Sequence, residues 1–177
     1  MTQNGVRRFR VVPGESSLDT EIRSSLHPIH GRASQLKGIV EGDFTDDGLP
    51  RLDLPHRAWV EIPVTAIRSG SRLNDMEMQR RAEIGRFPNI TFEISRAWPL
   101  DGTGRYRAAL HVTAHGRTRA VEGEFALRID GRRLIATGQH TFDMRDFGVH
   151  PPRILALRVD PRIRVSLRLV AQQEDGA

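Results

Sequence analysis

The sequence predicts an all-β domain of eight or nine antiparallel strands, arranged as a sandwich or a closed barrel, with one short helix between mid-chain strands. Three observations carry this. Apolar and polar residues alternate with period two in segment after segment. Asp-Gly and His-Gly steps separate those segments, and glycine there tolerates the positive φ of tight hairpins. One stretch after Asn74 carries helix formers instead. Closure into a barrel removes the exposed edges that an open sheet leaves unpaired.

The alternating segments follow in chain order. In Ser17–Leu26 one face holds Leu18, Thr20, Ile22, Ser24 and Leu26, against Asp19, Glu21 and Arg23. In Arg57–Ile67 the apolar face is Ala58, Val60, Ile62, Val64 and Ala66. Tyr106, Ala108, Leu110, Val112 and Ala114 form a third face, and Val121, Gly123, Phe125, Leu127 and Ile129 a fourth. Ile163, Val165, Leu167 and Leu169 close the set against Arg162, Arg164 and Arg168. Shorter candidates are Phe9–Val12, Gln35–Glu41, Ile90–Ser95 and Arg133–Phe142. The helix is expected to start with Asn74 as cap and Glu77 at the reciprocal capping-box position, to include Met78 to Ile84, and to end at Gly85 and Pro88.

The 177 residues suit one domain, residues 1–171, followed by a loose tail, Gln172–Ala177. No run of about 18 apolar residues exists, which excludes a transmembrane helix. Met1–Arg10 holds arginines but no apolar stretch after them, so no secretory signal is read and a cytoplasmic protein is expected. The chain has no cysteine, which excludes disulfides, thiol catalysis and Cys-ligated metals. The net charge is +5, and Lys37 is the sole lysine. The arginines are scattered among acids such as Glu122, Glu124, Asp46 and Asp47, with no dense basic run, so no nucleic-acid partner is expected. A solvated arginine surface is the plainer reading, and a positive mouth drawing an anionic ligand the other.

At the motif level the chain resembles the YceI family. The resemblance rests on Ile67-Arg-Ser-Gly70, Asn74-Asp75, Arg86-Phe-Pro-Asn-Ile-Thr-Phe92, His115-Gly-Arg-Thr-Arg119 and Arg145-Asp-Phe-Gly148, with looser matches at Ser16-Ser-Leu18 and Gly42-Asp-Phe44. These steps occur in the family's order from Phe9 to Ala171. Asp146-Phe147-Gly148 is no kinase element, since neither a Gly-rich phosphate loop nor a His-Arg-Asp loop accompanies it. The resemblance implies a lipocalin-like antiparallel β-barrel with a helix at one end. It further implies an elongated apolar pocket for a polyisoprenoid, quinone or similar amphiphile, and a homodimer as a common assembly. The family's Arg-Asp pair before the helix is Asn74-Asp75 here, and His30 is an addition to its pattern.

A lipophilic ligand requires an apolar lining with few polar anchors. Inward strand positions supply Ile22, Val60, Ile62, Phe92, Leu110, Phe125 and Phe142, although an eight-stranded barrel can equally fill its interior with such side chains. Met76 and Met78 are candidate lid residues, because methionine adapts to irregular apolar shapes. Arg145, then Arg72 and Arg153, are candidates for an anionic head group, since the guanidinium fork matches phosphate. His140 shares the strand face of Phe142 and can bond a polar ligand atom or act as acid or base. His27 and His30 form a His-x-x-His pair. On a regular strand they point to opposite faces, and only a break at Pro28 would let them converge on haem iron or a divalent metal. The leading expectation is therefore a non-enzymatic carrier of a lipophilic small molecule that needs no cofactor. The alternative is an enzyme or a haem or metal protein using His27, His30, His140 and His150.

Overall fold

The alternating segments become strands with their apolar faces turned inward in the computed structural model, which describes residues 5–152 and 157–175. The strands are β1 (Arg7–Val11), β2 (Ser17–Ser24), β3 (Ile29–Ala33), β4 (Lys37–Gly42), β5 (Arg57–Pro63), β6 (Asn89–Pro99), β7 (Arg105–Ala114), β8 (Arg117–Asp130), β9 (Arg133–Asp143) and β10 (Val159–Gln173). One helix, α1 (Arg72–Arg81), follows a single 3-10 turn at Val64–Ala66, and another such turn spans Met144–Phe147.

The circuit β1-β4-β5-β6-β7-β8-β9-β10 closes through β1–β10 into an eight-stranded antiparallel barrel. β2 and β3 are two further strands. β10 is long enough to pair with β1 at Ala171–Gln173 and with β2 at Val159–Arg168. β3 pairs β2 and reaches Arg68 through a bridge at Arg32, so the β2–β3 ribbon extends the wall toward the helix. Gly31 is required there: a Cβ would lie 2.6 Å from Thr20 Oγ1 and 3.1 Å from Ile67 Cγ2. In β6 a bulge at Ser95 inserts one residue, so inward positions run Ile90, Phe92, Ile94 and then Ala97.

Four sequence expectations are corrected. β3 falls in a segment for which the alternation predicts no strand, because Pro28 and Gly31 hide its short inward series Ile29, Gly31 and Ala33. β2 ends at Ser24, and Leu26 lies in the turn, 78% exposed. Ser71, not Asn74, caps α1, accepting from the Asn74 amide, while Glu77 pairs with Arg80 and Arg81. The helix ends at Arg81 rather than at Ile84. In addition, β10 carries Gln172 and Gln173 of the segment read as tail, with Gln173 N donating to Arg132 O.

The end of the barrel away from α1 holds a packed cluster. Phe9, Leu134 and Ala171 are fully buried there, and Phe9 meets Phe44 edge-on at 5.5 Å. The Arg7 guanidinium covers both rings, 5.1 Å from Phe9 and 5.7 Å from Phe44. Burying each such side chain contributes roughly 1.5–3 kcal/mol, so this end anchors the fold.

Candidate functional site: the barrel interior

Toward α1 the interior is not filled. A chamber of about 190 Å³ lies among Val60, Ile94, Leu110, Phe125, Ala136 and His140. A second of about 250 Å³ lies nearer the helix among Ile22, Ile62, Ile67, Met78, Phe87 and Phe147. Phe92, Phe142 and Val165 line both. The chambers thus adjoin along the barrel across these side chains, whereas ordinary interiors leave few voids larger than a water molecule. Their combined size falls within the roughly 300–1,000 Å³ typical of small-molecule sites.

The waist between the chambers is aromatic. Phe142 stands 4.6 Å from the His140 ring, 6.3 Å from Phe92 and 6.2 Å from Phe147, measured between centroids. His140 has no hydrogen-bond partner among the described residues. Burial disfavours its imidazolium and lowers its pKa below the ordinary 6.5, so the ring is neutral at pH 7. A neutral imidazole offers one donor and one acceptor to whatever shares the cavity.

A buried carboxylate stands at the helix end. Asp75 on α1 is buried against the near chamber, its Oδ1 accepting from Ser69 N at 2.8 Å and Ser69 Oγ at 2.7 Å. Burial alone would raise its pKa, but the Ser69 bonds and Arg68, 3.7 Å from Oδ2, outweigh this and hold the carboxyl below its usual range. This ties the start of α1 to the segment that bridges β3 at Arg68. His115, in the β7–β8 hairpin, has Nδ1 3.0 Å from Phe147 O and Nε2 2.5 Å from Glu83 Oε2. The ring thus bridges Phe147 and Glu83, and its bond to Glu83 holds that carboxyl below its usual range. Glu83 and His115 are also the two non-glycine residues with positive φ among the described residues, at 47° and 49°. The pair pins the helix C-terminus to the hairpin. Neither Asp75 nor the His115–Glu83 pair was found by sequence reasoning, because each depends on contacts between distant segments.

The structure places the anticipated residues unevenly. Ile22, Val60, Ile62, Met78, Phe92, Leu110, Phe125, His140 and Phe142 all border the cavity. Val60 and Ile62 also belong to the tightly packed core. Met76 does not border it: it is 57% exposed on the outer face of α1, two residues from inward Met78. His27 is likewise outside, in an exposed turn with Nδ1 3.1 Å from Pro28 O. His30 borders the near chamber, but its side chain is 67% exposed, with Nδ1 3.9 Å from Glu21 Oε2. Alternation from Ile29 turns it outward. Among the described residues no three His, Asp or Glu side chains gather as a metal site. Arg145 lies in an outer groove with Arg23, Arg158 and Arg162, held by both oxygens of Asp143. Arg72 is exposed at the start of α1, His150 is exposed at the rim of the near chamber, and Arg153 lies outside the described residues.

A family model described as the YceI-like domain matches residues 9–171, nearly the whole barrel. The chain belongs to this family. Solved structures agree on the fold. The crystal structure of Burkholderia cenocepacia BcnA superposes with a TM-score of 0.76 at 16% identity, covering 92% of this chain and 99% of that one. A polyisoprenoid binding domain from Saccharophagus degradans, implicated in plant cell wall breakdown, superposes with a TM-score of 0.73 at 11% identity, covering 94% and 98%. The Campylobacter jejuni YceI protein gives a TM-score of 0.63 at 12% identity, covering 84% and 86%. A search of curated proteins finds no match. No helix among the described residues of this YceI-like chain is long and apolar enough to cross a membrane.

Proposed function

We propose that this YceI-like barrel binds and carries an elongated lipophilic molecule, a polyisoprenoid, a quinone or a similar amphiphile, in the cavity between the packed far end and α1. One observation carries the reading: two apolar chambers adjoining at an aromatic waist, with the neutral, unpartnered His140 beside it. An apolar chain fills such a space by shape and water exclusion, and His140 offers a single hydrogen bond to a carbonyl or hydroxyl. The printed description of the Saccharophagus degradans domain as polyisoprenoid binding supports the same ligand class. No step here needs a metal or a nucleophile, which favours a carrier.

The test is mass spectrometry of an organic extract of the purified protein, together with titration by retinol, an isoprenoid alcohol, read by energy transfer from Trp59 in the barrel wall. An apolar compound near stoichiometry, or saturable retinol uptake, supports the reading. An empty protein that takes up neither retinol nor a short-chain quinone overturns it.

A further inference from the structure

The barrel wall is interrupted at one place. β8 stays paired with β7 from Arg117 to Ala126, and β9 stays paired with β10 from Arg133 to Asp143. The ladder between β8 and β9, however, runs only from Asp130↔Arg133 to Phe125↔Gly138. Beyond that step, residues 117–124 and 139–143 are not paired with each other. Backbone N–H and C=O groups on facing strands ordinarily pair, so a break of this length in a closed barrel calls for a use.

The interruption is a bounded window rather than a frayed edge. Its lower sill is tight: a Cβ on Gly138 would lie 3.2 Å from Glu124 O and 3.4 Å from Phe125 Cβ. Its upper edge is the Met144–Phe147 turn, which crosses back to β8. Gly148 abuts the Arg117 guanidinium so closely that a Cβ would sit 2.7 Å from it, and His115 Nδ1 holds Phe147 O at 3.0 Å. Gly123 presents nothing, and a Cβ there would meet only His140 Nδ1, at 3.8 Å. Glu124 is turned toward β7 by Arg107 at 2.9 Å and Arg105 at 3.3 Å.

Glu124 and Gln139 flank the foot of the gap and point outward on their strands, yet both line the far chamber and also a groove on the outer wall formed with Asp19, Arg105, Ser166 and Arg168. We infer that the gap between β8 and β9 is a lateral portal through which an elongated apolar ligand enters and leaves, passing Gln139 and Gly123 to reach the waist at His140 and Phe142. The inference rests on the binding role proposed above and adds its route. An extended chain can slide sideways through a slit without dismantling either end of the barrel. The Asp75–Ser69 and His115–Glu83 ties then have no need to open during exchange.

The chain has no cysteine, so single-site labelling is clean. Gln139→Cys places a thiol in the portal, and Met76→Cys places one on the outer face of α1, away from the cavity. Each variant is coupled to the same bulky maleimide, and labelling is verified by mass. Retinol uptake and release are then followed by stopped-flow energy transfer. The expected result is at least a tenfold slowing of both rates in labelled Q139C, with the equilibrium affinity within about threefold of the unlabelled variant, and no change in labelled M76C. Unchanged rates in labelled Q139C overturn the portal while leaving the binding role standing. Slowing confined to labelled M76C overturns it in favour of entry past the helix. A wild-type protein that takes up no retinol overturns both readings.

Discussion

Gly123→Leu separates a barrel built hollow for a ligand from one that is merely loosely packed. Gly123 faces the far chamber in the interior series Val121, Gly123, Phe125, and the nearest atom to its absent Cβ is His140 Nδ1 at 3.8 Å. That is ordinary van der Waals contact, so a leucine grows into the chamber without displacing the wall. Replacing glycine in a strand interior contributes about 0.5–1 kcal/mol. Burying most of a leucine side chain adds about 1.5 kcal/mol more. The empty variant is therefore expected to be about 2 kcal/mol more stable, raising Tm by roughly 4–8 °C for a chain of this size. The cavity that supplies the gain is lost to the ligand. Retinol at a hundredfold excess over its Kd should stabilise the wild type by about 2.7 kcal/mol, and this increment should largely vanish in the variant. The assay is thermal unfolding with and without retinol. A variant less stable than wild type would mean the space is absent, and an undiminished retinol increment would mean the ligand sits elsewhere.

Three further predictions follow from the site. His140→Leu should weaken retinol binding by about three- to tenfold, the worth of one net hydrogen bond, as read by titration at pH 7.5. Because the folded pKa of His140 lies below 6.5, its stabilising contribution is full above pH 6.5 and is lost as pH falls through the lowered folded value. H140L should therefore lose less Tm than wild type between pH 7 and 5. Asp75→Ala removes the acceptor for Ser69 N and Oγ and should cost about 3 kcal/mol, a Tm drop of roughly 6–12 °C by calorimetry. Its depressed pKa places that contribution fully above pH 3.8, and it disappears only as pH falls through the lower folded value. Arg145→Ala, outside the barrel and paired with Asp143, should leave retinol affinity unchanged in the same titration.

Alternation made most of the wall legible, because a half-buried strand needs an apolar side chain at every second position. Val60, Phe92, Leu110 and Phe125 could be placed on the interior face on that ground alone. Periodicity failed where the inward residue is small or the strand is broken: Gly31 and Ala33 carry little apolar signal, so β3 was invisible. The helix boundary failed because Ser71 and Asn74 can both cap, and the choice is made by where Asp75 docks on Ser69. Met76 and Met78 are equivalent as sequence, and only the docking angle of α1 turns one out and the other in. The cavity was legible only through the resemblance to the YceI family, and the β8–β9 gap had no sequence signature, since it depends on how facing strands part after Phe125 and Gly138.

Closure between β1 and β10 pairs Phe9 with Gln173 and Val11 with Ala171. That pairing spans nearly the whole chain, the most entropically expensive contact the fold makes and one expected to form late. During synthesis the barrel cannot shut until its last strand has left the ribosome. The apolar faces of β4 to β9 must therefore wait as an open, curved sheet. A shortened chain lacking residues 169–173 would leave β1 and β9 each with a bare edge, inviting pairing between molecules rather than a smaller barrel. The same adjacency means that a short linker could join the start of β1 to the end of β10, with new termini cut in the exposed turn at Asp101–Thr103, short of Gly104, whose carbonyl accepts from Leu127 N.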